Sequence, residues 1–356
     1  MKTHTYHEIQ DRNNYMKLQH MLQVELPNFC RTYFRAVEPR TQMRTRLAYA
    51  YDLHIFFYFL STEKKEIPGI LLPFSDMTSP LLLDQISARD IEEYLEYLKY
   101  RPDVRDREVI NQASGIKRKL SSLKSFYNYF YETEQIKTNP AAFVKLPKLH
   151  EKEIVRLEYN EVVELLDEVE SGASLTKRQK EFHKLTRVRD LALISLLLGT
   201  GMRISECVGI DLNDIDIEET AVQIHRKGGK EETIYFSDEV AQSVSDYLTL
   251  RKKMLPSKGS EQALFLSLQN KRLSVRSAEN LVKKYAQLVT PLKHITPHKL
   301  RSTYGTHLYQ ETGDIYLVAD VLGHSDVNTT KKHYAAIDES RRRAARSAVK
   351  LREDPS

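Results

Sequence analysis

Only one stretch of this chain, residues 220–236, alternates apolar and polar side chains in steps of two. Nearly everywhere else apolar residues recur at threes and fours, the spacing that gives a helix one buried face. That imbalance bounds the fold class. It predicts a mainly α protein with a small antiparallel β-hairpin or sheet set into a helical body. The hairpin is expected from strands at 221–225 and 233–236, joined by RKGGKEE with Gly228-Gly229 as its turn and Lys227 beside them.

Before the hairpin, helical spacing runs over 16–36 and more strongly over 43–61, where Leu47, Tyr51, Ile55, Phe56 and Leu60 share a face. Ser87 caps a third helix reaching about Tyr100, and a fourth is expected from about Val109 to Glu134. No convincing strand interrupts them, so residues 1–143 read as an all-α N-terminal domain. Residues 144–156, with Pro147 and mixed charge but no periodicity, read as a linker. Residues 157–356 form a second, α-rich domain. Its apolar helix at 187–198 ends at Gly199-Thr200-Gly201, which puts Arg203 just past a glycine turn at the mouth of a short helix. That GxG is no dinucleotide fingerprint, because a helix precedes it and no third glycine follows.

With 356 residues there is room for two or three cores, and 41% hydrophobic with 29% charged residues is ordinary for a soluble globular protein. No apolar run is long enough to span a bilayer, and the polar opening MKTHTYHEIQDRNN lacks the core of a secretory signal, so a cytoplasmic location without a membrane anchor is expected. Cys30 and Cys207 are then free thiols in packed positions. No Cys/His spacing points to a metal, and no cofactor is expected. A net charge of +5 is compatible with a polyanionic partner. More telling are local clusters: Arg40, Arg44 and Arg46; Lys117 to Lys119 with Lys124; Arg226-Lys227 with Lys230; and Arg341 to Arg343 with Arg346. On exposed faces these would contact phosphates.

Chemistry concentrates in HITPHKLRSTYGTHLYQETGDIYLVADVLGHSDVNTTKKHY, residues 294–334. Thr296-Pro297 opens a helix on which His298 and Arg301, three apart, share a face. Leu322-Gly323-His324 closes a second helix, and Tyr334 is the last tyrosine of the chain. Each piece alone fits a duller role, a solvated face or a packed ring. Taken with Arg203 and Lys227 they suit nucleophilic attack on a phosphodiester. In order and context GTGMRISE, HKLR and LGHSD resemble the active site of the tyrosine recombinases, the phage integrase and Xer family. The long N-terminal domain with RKGGK, ALFLSL and TPHKLR looks closest in layout to the single-protein XerS branch. Two departures stand out. The interval from His324 to Tyr334 is about one residue longer than in Xer proteins, and Ser302 stands where many members carry a second histidine.

The resemblance implies a site-specific recombinase that cleaves and rejoins DNA through a 3′-phosphotyrosine, without metal or ATP. Arg203 and Arg301 would clamp the scissile phosphate, since guanidinium stays charged and its fork matches phosphate oxygens. His324 would add a hydrogen bond, Lys227 would protonate the leaving 5′-oxygen, His298 would assist the proton on the tyrosine, and Tyr334 would attack. Glu206 and Asp326 could orient these groups, or serve as surface residues or caps. The implied partner is double-stranded DNA with an inverted-repeat core site. Two protomers would bind each site, and a homotetramer on two sites would be linked by a basic tail helix at 338–352. Chromosome-dimer resolution and mobile-element integration both remain open. A type IB topoisomerase-like enzyme and a catalytically silent DNA-binding protein are the alternatives from other classes.

Overall fold

The computed structural model describes residues 6–102, 108–147, 155–226, 230–323 and 327. Lys227, His324, Asp326, Tyr334 and the expected tail helix lie outside the described residues. Two compact units divide the chain, Met1–Lys152 and Glu153–Ser356.

The first unit holds α1 (Tyr6–His20), α2 (Cys30–Val37), α3 (Met43–Glu63), α4 (Ala88–Tyr97), α5 (Ala113–Glu132) and α6 (Pro140–Phe143). The helical run expected at 16–36 is split. After α1 the chain takes a wider π-type turn over Met21–Glu25, then Leu26 becomes extended ahead of Pro27, as the residue before proline must. Ser87 caps α4 as expected, in a reciprocal pair with Asp90. The core between α2, α3 and α5 is aromatic. Phe29 meets Phe57 and Phe130 edge-on at 6.1 and 5.6 Å between ring centres, and all three are buried.

Two sequence expectations need correction here. The unit is not wholly helical: β1 (Tyr100–Pro102) and β2 (Glu108–Ile110) pair antiparallel, with Arg101 opposite Val109. Strands of three residues are too short to show a period, and β2 occupies what reads as the start of the fourth helix. Nor are the basic clusters simply exposed. Lys119 is buried and donates to Asn111 Oδ1 at 3.0 Å. Arg118 grips the buried carboxylate of Asp52 with both arms, Nη2 at 2.7 Å, and Ser122 joins at 3.2 Å. Arg46 is buried against Glu38 at 2.9 Å. Arg46 of the first cluster and Arg118 and Lys119 of the second therefore tie the domain together.

The second unit holds α7 (Tyr159–Ser171), α8 (Lys177–Thr200), α9 (Ile204–Gly209), α10 (Asp238–Arg251), α11 (Val275–Val289), α12 (Pro297–Thr312) and α13 (Ile315–Leu322). Its centre is α8, buried without a break from Ala192 to Leu197 and flanked by α7, α10 and α12. An antiparallel sheet of β3 (Ile215–Asp216), β4 (Ala221–His225) and β5 (Glu231–Tyr235) lies beside α9, with Val222 opposite Ile234. Both strands of the β4–β5 hairpin are described, and the expected Gly228-Gly229 turn lies outside the described residues. Asp190 on α8 is a buried hub that accepts from Thr186, Arg189 and Tyr285. Cys30 and Cys207 are free and buried, and burial raises the pKa of both thiols. No helix among the described residues is long and apolar enough to cross a membrane.

Candidate active site

The site is assembled where three chain segments meet at Gly201. Helix α8 stops because Gly201 turns left-handed (φ +64°), its N–H donating to the Leu197 carbonyl at 3.1 Å. A Cβ here would strike the ring of Tyr304 on α12 and come within 2.9 Å of Leu322 Cδ2 at the end of α13. Only glycine satisfies both the conformation and the approach.

Two residues on, Arg203 is extended and opens α9. Glu206 folds back to accept its backbone N–H at 2.7 Å and its guanidinium at 2.8 Å. The carboxylate is buried while the Arg203 side chain is 39% exposed, so a fixed anion steers a cation that reaches the surface. One side chain thus caps α9 and holds the Arg203 guanidinium.

Helix α12 begins at Thr296 with Pro297 in its first turn, as the sequence predicts. His298 is exposed, but Arg301, one turn along, is 4% exposed. Its guanidinium donates to the Gly201 carbonyl at 2.7 Å and to the Leu322 carbonyl. Arg301 thus binds directly to the turn that precedes Arg203, a hundred residues away in sequence. Ser302 spends its hydroxyl on the His298 carbonyl at 3.0 Å, an ordinary bond to the preceding turn. Burial raises the pKa of the Tyr304 phenol beside Gly201.

Helix α13 ends as expected at Gly323, again left-handed (φ +60°). The sequence-predicted residues therefore divide. Arg203 and Arg301 belong to segments held together through Gly201, and His298 shares a helix with Arg301. Lys227, His324 and Tyr334 lie outside the described residues, although Arg226 and Gly323 beside the first two are within them.

Arg226 is a further residue that sequence reasoning placed wrongly, as one more surface cation. It is buried, and donates through Nη1 to the Leu322 carbonyl and through Nη2 to the Val321 carbonyl, both at 2.7 Å. Glu232 accepts from the same guanidinium at 2.6 Å. The strand period holds the missed signal: Val222 and Ile224 point inward, and a step of two from Ile224 reaches Arg226.

Two permanent cations on converging segments, one steered by a carboxylate and one locked on carbonyls, suit the binding of an anionic ester. Comparison with known proteins agrees with that chemistry. The model of the phage integrase family matches residues 155–341. The tyrosine recombinase XerC of Caldanaerobacter subterraneus subsp. tengcongensis is 34% identical over 319 residues, covering 88% of this chain and 83% of the relative. The tyrosine recombinase XerD of Staphylococcus epidermidis is 29% identical over 258 residues, 68% of this chain and 84% of its own. Among solved structures, the integrase of the Tn1549 transposon in complex with transposon right end DNA superimposes with a TM-score of 0.63. The two are 20% identical, and the match covers 90% of this chain and 99% of that one.

Proposed function

This chain belongs to the phage integrase family and is a site-specific tyrosine recombinase acting on DNA, and from that premise we propose how its residues divide the reaction. Arg203 and Arg301 neutralise the non-bridging oxygens of the scissile phosphate, where charge grows in the transition state. His324 adds a hydrogen bond to the same group. The phenolic oxygen of Tyr334 attacks phosphorus, its proton passing toward His298. As the new P–O bond forms, the bond to the 5′-oxygen breaks and Lys227 supplies that oxygen with a proton. The product is a 3′-phosphotyrosine and a free 5′-hydroxyl. Attack on that ester by the 5′-hydroxyl of a second strand, with the proton moves reversed, releases Tyr334 and reseals the DNA. The bond energy is kept throughout, so the cycle needs no ATP.

The observation that carries this reading is the bond from Arg301 to the Gly201 carbonyl, which joins the HKLR and GTGMRISE segments in one place. In the same reading the unit before the 144–156 linker is the core-type DNA-binding domain. Two protomers occupy an inverted-repeat site, and the basic tail helix links four across two sites. Of the two biological roles, Xer-like resolution of chromosome dimers is favoured by the 34% identity to a XerC protein.

A suicide duplex nicked beside the scissile phosphate tests the reading, because the short cleaved end diffuses away and traps the intermediate. A recombinase leaves a covalent adduct at one sequence. An adduct with little sequence preference would mark a topoisomerase, and no adduct on any genomic site would mark a silent DNA-binding protein.

A further inference from the structure

We propose that Arg226 is a positioning residue for the general acid: it anchors the hairpin that carries Lys227 to the end of α13, the place that Arg301 also holds. The inference rests on reading Lys227 as the proton donor.

The last carbonyls of a helix have no partners within it. At the end of α13 two of them, Val321 and Leu322, are taken by the Arg226 guanidinium at 2.7 Å each. The Leu322 carbonyl accepts from Arg301 as well, so one oxygen joins α12, α13 and the β4–β5 hairpin. The other side of the guanidinium is fixed by Glu232 on β5, with Nη2 to Oε1 and Nε to Oε2 both at 2.6 Å. The Arg226 backbone is fixed too, its N–H donating to the Lys230 carbonyl at 2.7 Å just beyond the paired ends of β4 and β5. Gly323 completes the seat, because a Cβ there would run into the Arg226 guanidinium.

A planar fork with several donors fills this seat, and a lysine, a single point of charge, does not. Lys227 follows Arg226 by one peptide bond. Whatever sets Arg226 therefore sets the root of the general acid relative to Arg301. A buried cation engaging two carbonyls and a carboxylate exceeds what closing a hairpin requires, since backbone pairing from Ala221 to Tyr235 already does that.

The test compares two forms of the suicide duplex, with oxygen or sulfur as the 5′-leaving atom. A thiolate departs without a proton, so a defect that acts only through the general acid vanishes on sulfur. Arg226→Lys should bind the duplex like the native protein and cleave the oxygen form more slowly by roughly tenfold or more. On the sulfur form it should cleave within about threefold of the native rate. Equal losses on both forms, or no loss on oxygen, overturn the proposal, since Arg226 would then act on the phosphate-holding turn or on nothing. If Arg226→Lys fails to fold, Glu232→Gln loosens the same guanidinium from β5 and must show the same oxygen-selective defect; equal losses there overturn the proposal too. Lys227→Ala separates the two levels of the argument. If sulfur fails to rescue Lys227→Ala, the reading of Lys227 falls and takes this inference with it. If sulfur rescues Lys227→Ala but not Arg226→Lys, only the role of Arg226 falls.

Discussion

Replacing Glu206 by Gln should disarm Arg203 while leaving the fold in place. The buried carboxylate accepts both the Arg203 N–H and its guanidinium, at 2.7 and 2.8 Å. An amide of the same shape keeps one acceptor oxygen and turns an NH2 toward whichever donor it abandons. Hydrogen bonds to charged groups contribute about 1.5–3 kcal/mol, and neutral ones about 0.5–1.5. Because Arg203 is partly exposed, water recovers some of the loss in the free protein. Its penalty falls on the transition state, where the guanidinium must point at the phosphate. At 1.36 kcal/mol per tenfold, that amounts to a cleavage rate lower by about 10- to 100-fold. The assay is single-turnover cleavage of the suicide duplex under saturating protein, with binding followed by gel shift. Near-native affinity with that slower cleavage is expected. A rate within about twofold of native would refute the reasoning, since Arg203 would then need no carboxylate to steer it.

Two further outcomes concern the scaffold. Gly201→Ala forces a side chain into the left-handed region, at about 1–2 kcal/mol, and against Tyr304 and Leu322, at about 1–3 more. The melting temperature should fall by roughly 5–15 °C, measured by calorimetry, and cleavage should fall with it; an unchanged melting point would mean that the segments do not meet there. Lys64 bonds Asp90 at 2.7 Å and Glu93 at 2.6 Å, pinning the start of α4 to the end of α3. Burial pushes the Asp90 pKa up, but Lys64 and Ser87 outweigh it, and Lys64 also depresses Glu93. Both carboxylates hold protons less tightly folded than unfolded. Their contribution is therefore present above the ordinary carboxylate range, about pH 4, and is lost as pH falls through the depressed native values. The difference in melting temperature between native protein and Lys64→Met should accordingly be largest near neutrality and narrow in acid; a gap constant with pH would discount the ion pair.

Chain punctuation was the legible part of this protein. Ser87, Gly201, Thr296-Pro297 and Gly323 each announce a helix end by local chemistry, and the structure ends its helices there. Arg203 at the mouth of α9 followed from the same rule. Partners far along the chain were not legible. Asp52 meets Arg118 across 66 residues and Arg226 meets Leu322 across 96, and no window of sequence contains both. Basic clusters therefore read as surface, although period alone pointed Arg226 inward after Ile224, and Lys119, three on from the buried Ile116, inward on α5. The strands β1, β2 and β3, of two or three residues, are set by pairing rather than by any pattern of their own.

At the centre of the account is a phosphodiester held by Arg203 and Arg301 and attacked by one phenol. The most direct measurement is to trap the adduct on the suicide duplex, digest it with protease and nuclease, and identify by mass spectrometry the residue that carries the nucleotide. The account predicts Tyr334 alone, with the adduct lost in Tyr334→Phe although the DNA is still bound. A nucleotide on Tyr304, Tyr316 or any other side chain, or an adduct that survives in Tyr334→Phe, would contradict it.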